Sequence, residues 1–289
     1  MPELPEVEAL ATFLTEVAQG RVIKRVEVAS LSALKTYDPP IDALHGKTLG
    51  PVSRRGKFLL LPTEPDGPWL VLHLARSGWL KWRDSFPKGP AKLNPKGPLA
   101  LRVRFEDGAG FDATEAATEK RLAAYVVRAP DEVEHVATLG PDPLSEEFTA
   151  TRLAELLSSS AAQIKGVLTD QRVIAGIGNA YSDDALHAAR LSPFKPANKL
   201  TPDEVVVLHG AVVSVLRDAV ERSAGLPAAG LKTEKRSGMR VHGRTGEACP
   251  VCGDAVREVS FSTKSLQYCA TCQTGGKPLA DRRLSRLLK

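Results

Sequence analysis

Four cysteines limit the possible folds of this chain more than any other residues. They stand as Cys249-Pro-Val-Cys252 and Cys269-Ala-Thr-Cys272, with sixteen residues between the pairs. A two-residue spacer lets both sulfurs of a pair reach one ion, and two such pairs complete a tetrahedron. The N-terminus carries acids at Glu3, Glu6 and Glu8 and has no secretory pattern. The chain is therefore expected in the cytoplasm, or on a chromosome within it, where thiols stay reduced and bind metal. One zinc ion on Cys249, Cys252, Cys269 and Cys272 leaves no open position for water, so the site is structural. An iron–sulfur or redox centre is the alternative for the same spacing. Between the pairs, Val256 to Ser260 and Leu266 to Tyr268 have the pattern of a hairpin. Its short polar connection would project Lys264 from a rigid, metal-fixed tip.

The charge is distributed unevenly. Residues 231–289 hold twelve Lys and Arg against five Asp and Glu, a net +7, while the whole chain is +5 and the first 230 residues sum to −2. A basic C-terminal module on a nearly neutral body points to a polyanion such as nucleic acid; basic tails also confer solubility. The 289 residues suit about two domains, and 43% hydrophobic residues suffice for real cores. No run of about 18 apolar residues occurs, so no membrane-spanning segment is expected.

From the N-terminus, residues 3–19 are expected as a helix with Leu4, Val7, Leu10, Phe13, Leu14 and Val17 on one side and Gly20 at its end. Short apolar or alternating segments follow at 22–28, 48–61, 69–74 and 99–105, with further short strands at 110–112 and 123–127. Pro, Gly and Asp punctuate them, as in an antiparallel β layer. After Pro141-Asp142-Pro143 the period lengthens to nearly four, with helices expected at 146–157, 162–169 and 202–223 and a loop at 226–231. The expected class is α+β: a helix feeding a β-sandwich over 1–134, a helical domain over 135–240 and a zinc-hairpin module over 241–289.

Several residues in this frame suit chemistry. If Met1 is removed, Pro2 presents a secondary amine with the Glu3 carboxylate beside it. An amine that is partly unprotonated near neutral pH can attack an electrophilic sugar carbon and form an iminium. The same stretch also suits an ordinary helix start, where prolines and acids are common. Lys57, in Arg54-Arg55-Gly56-Lys57, could hold a phosphate or belong to a solvated basic patch. His73 ends an apolar strand and suits either a structural or a ligand-contacting role. In Ile174-Ala-Gly176-Ile-Gly178-Asn179, the glycines make a tight turn at a helix start, where N–H groups and the Asn179 amide suit a backbone phosphate.

Four motifs now carry a resemblance: PELPEVE at 2–8, RGKFLL at 55–60, IAGIGNAY at 174–181 and CPVC…YCATCQ at 249–273. In this order they resemble bacterial formamidopyrimidine-DNA glycosylases and their endonuclease VIII relatives along the whole chain. Met239-Arg-Val-His-Gly-Arg244 and the ending from Gly275 look like an actinobacterial, endonuclease VIII-like branch. The resemblance implies a helix–two-turn–helix domain and a bifunctional enzyme that removes oxidised bases and cuts the strand of damaged duplex DNA. It implies Pro2 as the nucleophile, Glu3 as the acid/base, Glu6 as support for that site and Lys57 as a phosphate holder. It assigns His73, Arg76, Lys165, Gly176, Gly178, Asn179 and Lys264 to DNA contact. It also implies a monomer associated with the nucleoid.

Three departures bear on the substrate. Where the family has methionine in HLGMSG, a wedge for the void left by a flipped base, this chain has Arg76 in HLARSG. Where the family has DPRRFG, Asp112-Ala-Thr-Glu115-Ala keeps the aspartate and loses the wedge arginine and phenylalanine. Lys264 stands in place of the finger arginine and keeps the charge without the planar fork. Oxidised pyrimidines are therefore expected over 8-oxoguanine paired with cytosine. Abasic-site lyase activity with weak base excision, and an inactive binding protein, are the other readings.

Overall fold

The computed structural model describes residues 1–91, 94, 96–261 and 265–280. Its first element, α1 (Leu4–Ala18), begins one residue later than expected because Glu3 is its cap. The Glu3 side chain accepts from the backbone N–H of Glu6, and the Glu3 N–H donates to the Glu6 carboxylate at 2.8 Å. This reciprocal pair satisfies donors that the first helical turn leaves without partners. Pro5 costs nothing there, since its missing N–H would have had no acceptor within the helix. Leu4, Val7, Leu10 and Leu14 are buried, and Gly20, at φ 81°, turns the chain out of the helix.

Two four-stranded antiparallel sheets follow. The first contains β1 (Ile23–Val28), β7 (Gly78–Arg83), β8 (Leu99–Phe105) and β9 (Gly110–Glu115), in the order β1-β8-β9-β7. The second contains β3 (Ser53–Arg55), β4 (Phe58–Leu61), β6 (Trp69–His73) and β10 (Ala123–Val127), in the order β10-β6-β4-β3. A small pair, β2 (Thr48–Leu49) with β5 (Thr63–Glu64), lies outside them. The two-residue alternation of strands explains the sandwich. Leu59, Leu61, Leu70, Leu72, Ala124 and Val126 face a core shared with α1 and with Val103, Phe105 and Phe111 of the first sheet. Phe58, Leu60, Val71 and Val127 face the other way, onto Val133 and Val136 of α2 (Glu134–Ala137) and the turn before it. The second sheet is thus covered on both faces, which is why β4 is a continuous apolar run.

The expected segment 48–61 is broken into β2, β3 and β4, because Pro51 cannot continue a ladder and Gly56 adopts φ 55°. Strand β7 was not expected at all, and β9 extends to Glu115, three residues beyond its expected end. The β7 segment has Gly78 at its start and charged Lys81 and Arg83 near its end, so its pattern is weak. Pairing with β9 over six residues, from Gly78↔Glu115 to Arg83↔Gly110, makes it a strand.

The chain forms two compact units, Met1–Leu139 with Ser223–Lys232, and Gly140–Arg222 with Thr233–Lys289. The returning segment of the first unit packs Leu226, Ala228 and Leu231 on the sandwich core, and the Trp79 indole donates to the Ala228 carbonyl at 2.8 Å. The second unit holds α3 (Ala150–Ser158), α4 (Ile164–Thr169), α5 (Asn179–Ala188) and most of α6 (Pro202–Ser223). α3 starts four residues later than expected, where Thr149 accepts the Arg152 N–H at 3.1 Å as a cap. α6 has the expected bounds; Thr201 and Glu204 cap it reciprocally, at 2.8 and 3.3 Å. Beyond it, α7 (Leu231–Gly238) is a helix where no element was expected. The zinc-module hairpin, β11 (Val256–Ser260) with β12 (Ser265–Cys269), is paired from Val256↔Cys269 to Ser260↔Ser265 and runs into α8 (Ala270–Thr274). No helix among the described residues is long and apolar enough to cross a membrane.

Candidate active site and nucleic-acid interface

In the first unit, the start of α1 holds two carboxylates almost out of solvent, Glu3 at 2% and Glu6 at 1% exposure, with Pro2 buried beside them. The reciprocal cap fixes both carboxylates at the helix start, and Glu3 adjoins Pro2 in the chain. The Pro2 nitrogen is an amide while Met1 is attached and an amine once it is cleaved. Two contacts anchor this helix to the strand that leads to Lys57. The Arg54 guanidinium donates to Glu8 at 2.6 Å, and the Thr15 hydroxyl accepts from the Val52 N–H at 2.9 Å.

Lys57 follows Gly56 in a two-residue turn between β3 and β4 and is only 8% exposed. Gly56 supplies the positive φ that a tight hairpin needs at its first central position. Opposite the end of this turn, His73 pairs with Phe58 in the ladder and its ring lies 4.7 Å from the Phe58 ring. Burial first, then the charges of Lys57 and His135, push the His73 pKa down to about 4. At neutral pH the ring is uncharged, and it can donate or accept one hydrogen bond beside the lysine.

Arg76 is exposed in the turn from β6 to β7. Ala75 before it adopts φ 52°, a left-handed conformation unusual for alanine. Gly78 closes the turn by donating to the Leu74 carbonyl at 2.8 Å; a Cβ there would lie 2.0 Å from that oxygen. Backbone strain of this kind is held by its surroundings and aims Arg76 outward.

Two acids on β9 have other partners. Asp112, 2% exposed, takes a bidentate contact from Arg102 at 2.6 and 3.0 Å. Glu115, also 2% exposed, accepts the backbone N–H groups of Arg121 and Leu122, both at 2.9 Å, and so pins the loop after β9. Its role could not be read from the sequence, because its partners are loop backbone whose position depends on the sheet.

In the second unit, the Gly176-Ile177-Gly178 turn precedes α5. Gln171 organises it: its amide nitrogen donates to the carbonyls of Thr169 at 3.0 Å and Ile177 at 2.7 Å, and its oxygen accepts the Gly176 N–H at 2.9 Å. Gly176 needs its freedom, with φ 86°. The Asn179 amide donates to the Ser265 carbonyl at 2.6 Å. Lys165 is surrounded by acceptors: the Asn179 carbonyl at 3.1 Å, the Ser182 hydroxyl at 2.8 Å and Asp183 at 2.6 Å.

Nearly every residue of α5 is buried, although the helix carries many polar groups. Asp183 also accepts from the His242 ring at 2.7 Å and the Gln267 N–H at 3.2 Å. Asp184 accepts the N–H groups of Arg240, Val241 and His242 at 2.7, 3.0 and 3.1 Å; burial raises its pKa against their effect. Sequence reasoning missed Gln171, Asp183 and Asp184. A helix so polar and still buried must have partners, but that burial is visible only once the chain has folded.

Replacing Lys165 by Met would leave the Asp183 carboxylate, with no exposed side-chain surface, short of its cation. Breaking a buried pair from one side typically costs about 3–5 kcal/mol. Urea unfolding of Lys165→Met, followed by a helix signal, should show a loss near the lower figure, because His242 still serves Asp183. Stability equal to that of the wild type would show that the pair contributes nothing net.

The four cysteine sulfurs lie within 4.8 Å of one another, with Cys252 to Cys269 at 3.4 Å and Cys249 to Cys272 at 3.9 Å. Tetrahedral zinc with Zn–S bonds of about 2.3 Å sets its ligands about 3.8 Å apart, so the cluster fits one zinc ion. Cys249 and Cys269 are buried, and Cys252 is exposed. Lys264, expected at the hairpin tip, lies outside the described residues.

With this geometry in view, comparison with known proteins places the chain. Residues 1–122 match the formamidopyrimidine-DNA glycosylase N-terminal domain, 139–228 its H2TH domain, and 246–275 the zinc finger found in that enzyme and in isoleucyl-tRNA synthetase. An uncharacterised formamidopyrimidine-DNA glycosylase-like protein of Mycobacterium tuberculosis is 64% identical over 52% of this chain and 94% of the relative. The formamidopyrimidine-DNA glycosylase of Symbiobacterium thermophilum is 36% identical over 98% of this chain and 93% of the relative. Among solved structures, the Thermus thermophilus enzyme superposes with a TM-score of 0.80 at 31% identity, covering 96% of this chain and 100% of that one. The Lactococcus lactis enzyme in complex with abasic-site DNA gives 0.82 at 25% identity, over 94% and 99%. Agreement from the first residues to the cysteine cluster makes the chain a member of the formamidopyrimidine-DNA glycosylase family.

Proposed function

We propose that this protein excises oxidised bases, pyrimidines in preference to 8-oxoguanine, and cuts the strand by β- and δ-elimination through an iminium on Pro2. The family sets the class: a DNA N-glycosylase and abasic-site lyase acting on damaged DNA. One observation carries the mechanism, the buried reciprocal cap that holds the Glu3 carboxylate at the residue adjoining Pro2; the pyrimidine preference rests on Arg76 and the lost wedge residues. A helix start alone does not require acids so deeply buried.

The reaction follows from these groups. With Met1 removed, the Pro2 lone pair attacks C1′ of a nucleotide turned out of the stack, and the base leaves with the bonding electrons. Glu3 protonates the ring oxygen and the sugar opens. The Pro2 nitrogen gives up its single proton on attack, so as the ring C1′–O bond breaks its lone pair forms a charged iminium at C1′ that has no N–H left to lose. That cation makes the C2′ proton acidic; its removal expels the 3′ phosphate, and a further proton loss expels the 5′ phosphate. Glu3 moves these protons, and Glu6 positions Glu3. Lys57, with the neutral His73 beside it, holds a phosphate next to the lesion. Arg76 enters the space of the displaced base. Asn179, the Gly176–Gly178 turn and Lys264 grip the backbone, and Lys165 supports Asn179 through its carbonyl. The protein acts as a monomer on double-stranded DNA of the nucleoid.

Borohydride reduction during turnover should trap one protein–DNA adduct, and peptide mapping should place it on Pro2. Capture of the sugar on another side chain, or full activity with Met1 retained, would overturn the mechanism. No adduct at all on an abasic duplex would leave a damage-binding protein. For the substrate, thymine glycol and dihydrouracil duplexes should be cleaved faster than 8-oxoguanine opposite cytosine, and the reverse order would refute the preference.

Glu115 favours a narrower second reading. It occupies a wedge-motif position and is spent on loop backbone, which leaves Arg76 to displace the base. Abasic-site cleavage without release of free base from any of these lesions would establish a lyase with weak excision.

A further inference from the structure

The α5 residues Asn179, Asp183, Asp184 and His187 lie at spacings of four, five and eight, which puts them on one side of the helix. The first three end on the zinc module: Asn179 on Ser265, Asp183 on His242 and Gln267, and Asp184 on the backbone of 240–242. His187 is the fourth. It is 2% exposed, and its Nε2 lies 3.2 Å from the Cys249 sulfur. Its Nδ1 is buried and has no hydrogen-bond partner.

The chemistry of the cluster settles which atom donates. A cysteine bound to zinc is a thiolate and has no proton to give. The hydrogen between the two groups therefore belongs to the ring, on Nε2. In the neutral tautomer Nδ1 then carries no proton, so the unpartnered atom is an acceptor lone pair and no N–H is stranded. Four thiolates around Zn²⁺ sum to −2, and Cys249 is only 3% exposed. Buried charge of that size requires donors aimed at the sulfurs. Besides His187, Cys249 has the backbone N–H groups of Val251, at 3.5 Å, and of Cys252.

We propose that His187 is an outer-shell partner of the zinc site. Its Nε2–H donates to the Cys249 thiolate, slows loss of the metal and ties the centre to the helix that begins with Asn179. The inference does not depend on the glycosylase mechanism above. It concerns zinc retention, which is measured without DNA.

The test uses the full-length zinc protein with the variants His187→Phe and His187→Gln. Zinc transfer to an excess of a chelating dye should be about 10–100-fold faster for His187→Phe, which fills the space without donating. His187→Gln supplies an amide N–H and should recover most of the retention. Equal release from wild type and His187→Phe, or a glutamine variant as leaky as the phenylalanine one, would overturn the proposal. A measurement on the wild type alone guards against misfolded variants. With ¹¹³Cd in place of zinc, the His187 Nε2 proton should couple to the metal through the hydrogen bond, and absence of that coupling would count against it. Wild-type protein loaded with Co²⁺ should show a four-thiolate charge-transfer spectrum; three thiolates and a nitrogen would make His187 a ligand and overturn the outer-shell assignment.

Discussion

Glu3→Gln should cleave an abasic duplex about 10²–10⁴-fold more slowly than the wild type in single turnover, the usual contribution of a positioned acid/base. The substitution separates chemistry from architecture. A glutamine side-chain oxygen can still accept the Glu6 N–H, and the residue 3 backbone still donates to Glu6, so the start of α1 keeps both halves of its cap. A capping group of similar reach changes stability by no more than about 1 kcal/mol, and thermal unfolding should stay close to that of the wild type. Glutamine cannot move the protons that opening the sugar and eliminating the phosphates require. Duplex affinity should be retained, because Lys57 and the second unit are untouched. A variant that cleaves at the wild-type rate would remove Glu3 from the reaction and leave its burial as helix capping alone.

The second large effect is expected from the metal. Cys252→Ser should abolish stoichiometric zinc binding, although Cys252 is the exposed member of the cluster. Structural zinc in small finger domains contributes apparent binding free energies of about 10–16 kcal/mol. A two-stranded hairpin in isolation is marginal at best, and here each strand has five residues. Backbone hydrogen exchange across β11 and β12 should approach unprotected rates, and DNA affinity should fall steeply. Asn179 and Asp184 lose their module partners at the same time, so protection should also drop in α5. Loss confined to the hairpin would show that α5 holds its shape without the metal. Chelation of wild-type zinc should reproduce the pattern, and added zinc should reverse it only for the wild type.

Local signals in the chain were strong where short spacing carries the physics. The CxxC pairs specify a metal cluster because two intervening residues set the reach of the sulfurs whatever surrounds them. Thr201-Pro202-Asp203-Glu204 announces α6 through a cap and a proline, and the apolar residues after it keep a helical period to Ser223. Elements with weak local signals were missed. α7 buries only Leu231 among its residues and is polar from Lys232 to Ser237. It is supported by Lys235 over the ring of the distant Tyr181 at 4.6 Å and by the contact of Glu234 with Arg222 of α6 at 2.8 Å.

Residue order alone thus marked the two cysteine pairs as one metal cluster and set an acid beside Pro2. It could not say which charges remain available to a ligand. Lys165 looks like a basic residue awaiting a phosphate, yet its ammonium already meets Asp183, Ser182 and the Asn179 carbonyl. Glu115 looks like an acid lost into a loop, yet it holds that loop by two N–H groups. His187 is an unremarkable helical residue until folding brings Cys249, sixty-two positions away, to its ring. A side chain's chemistry depends on the groups that share its low-dielectric surroundings, and those neighbours come together only when distant segments pack.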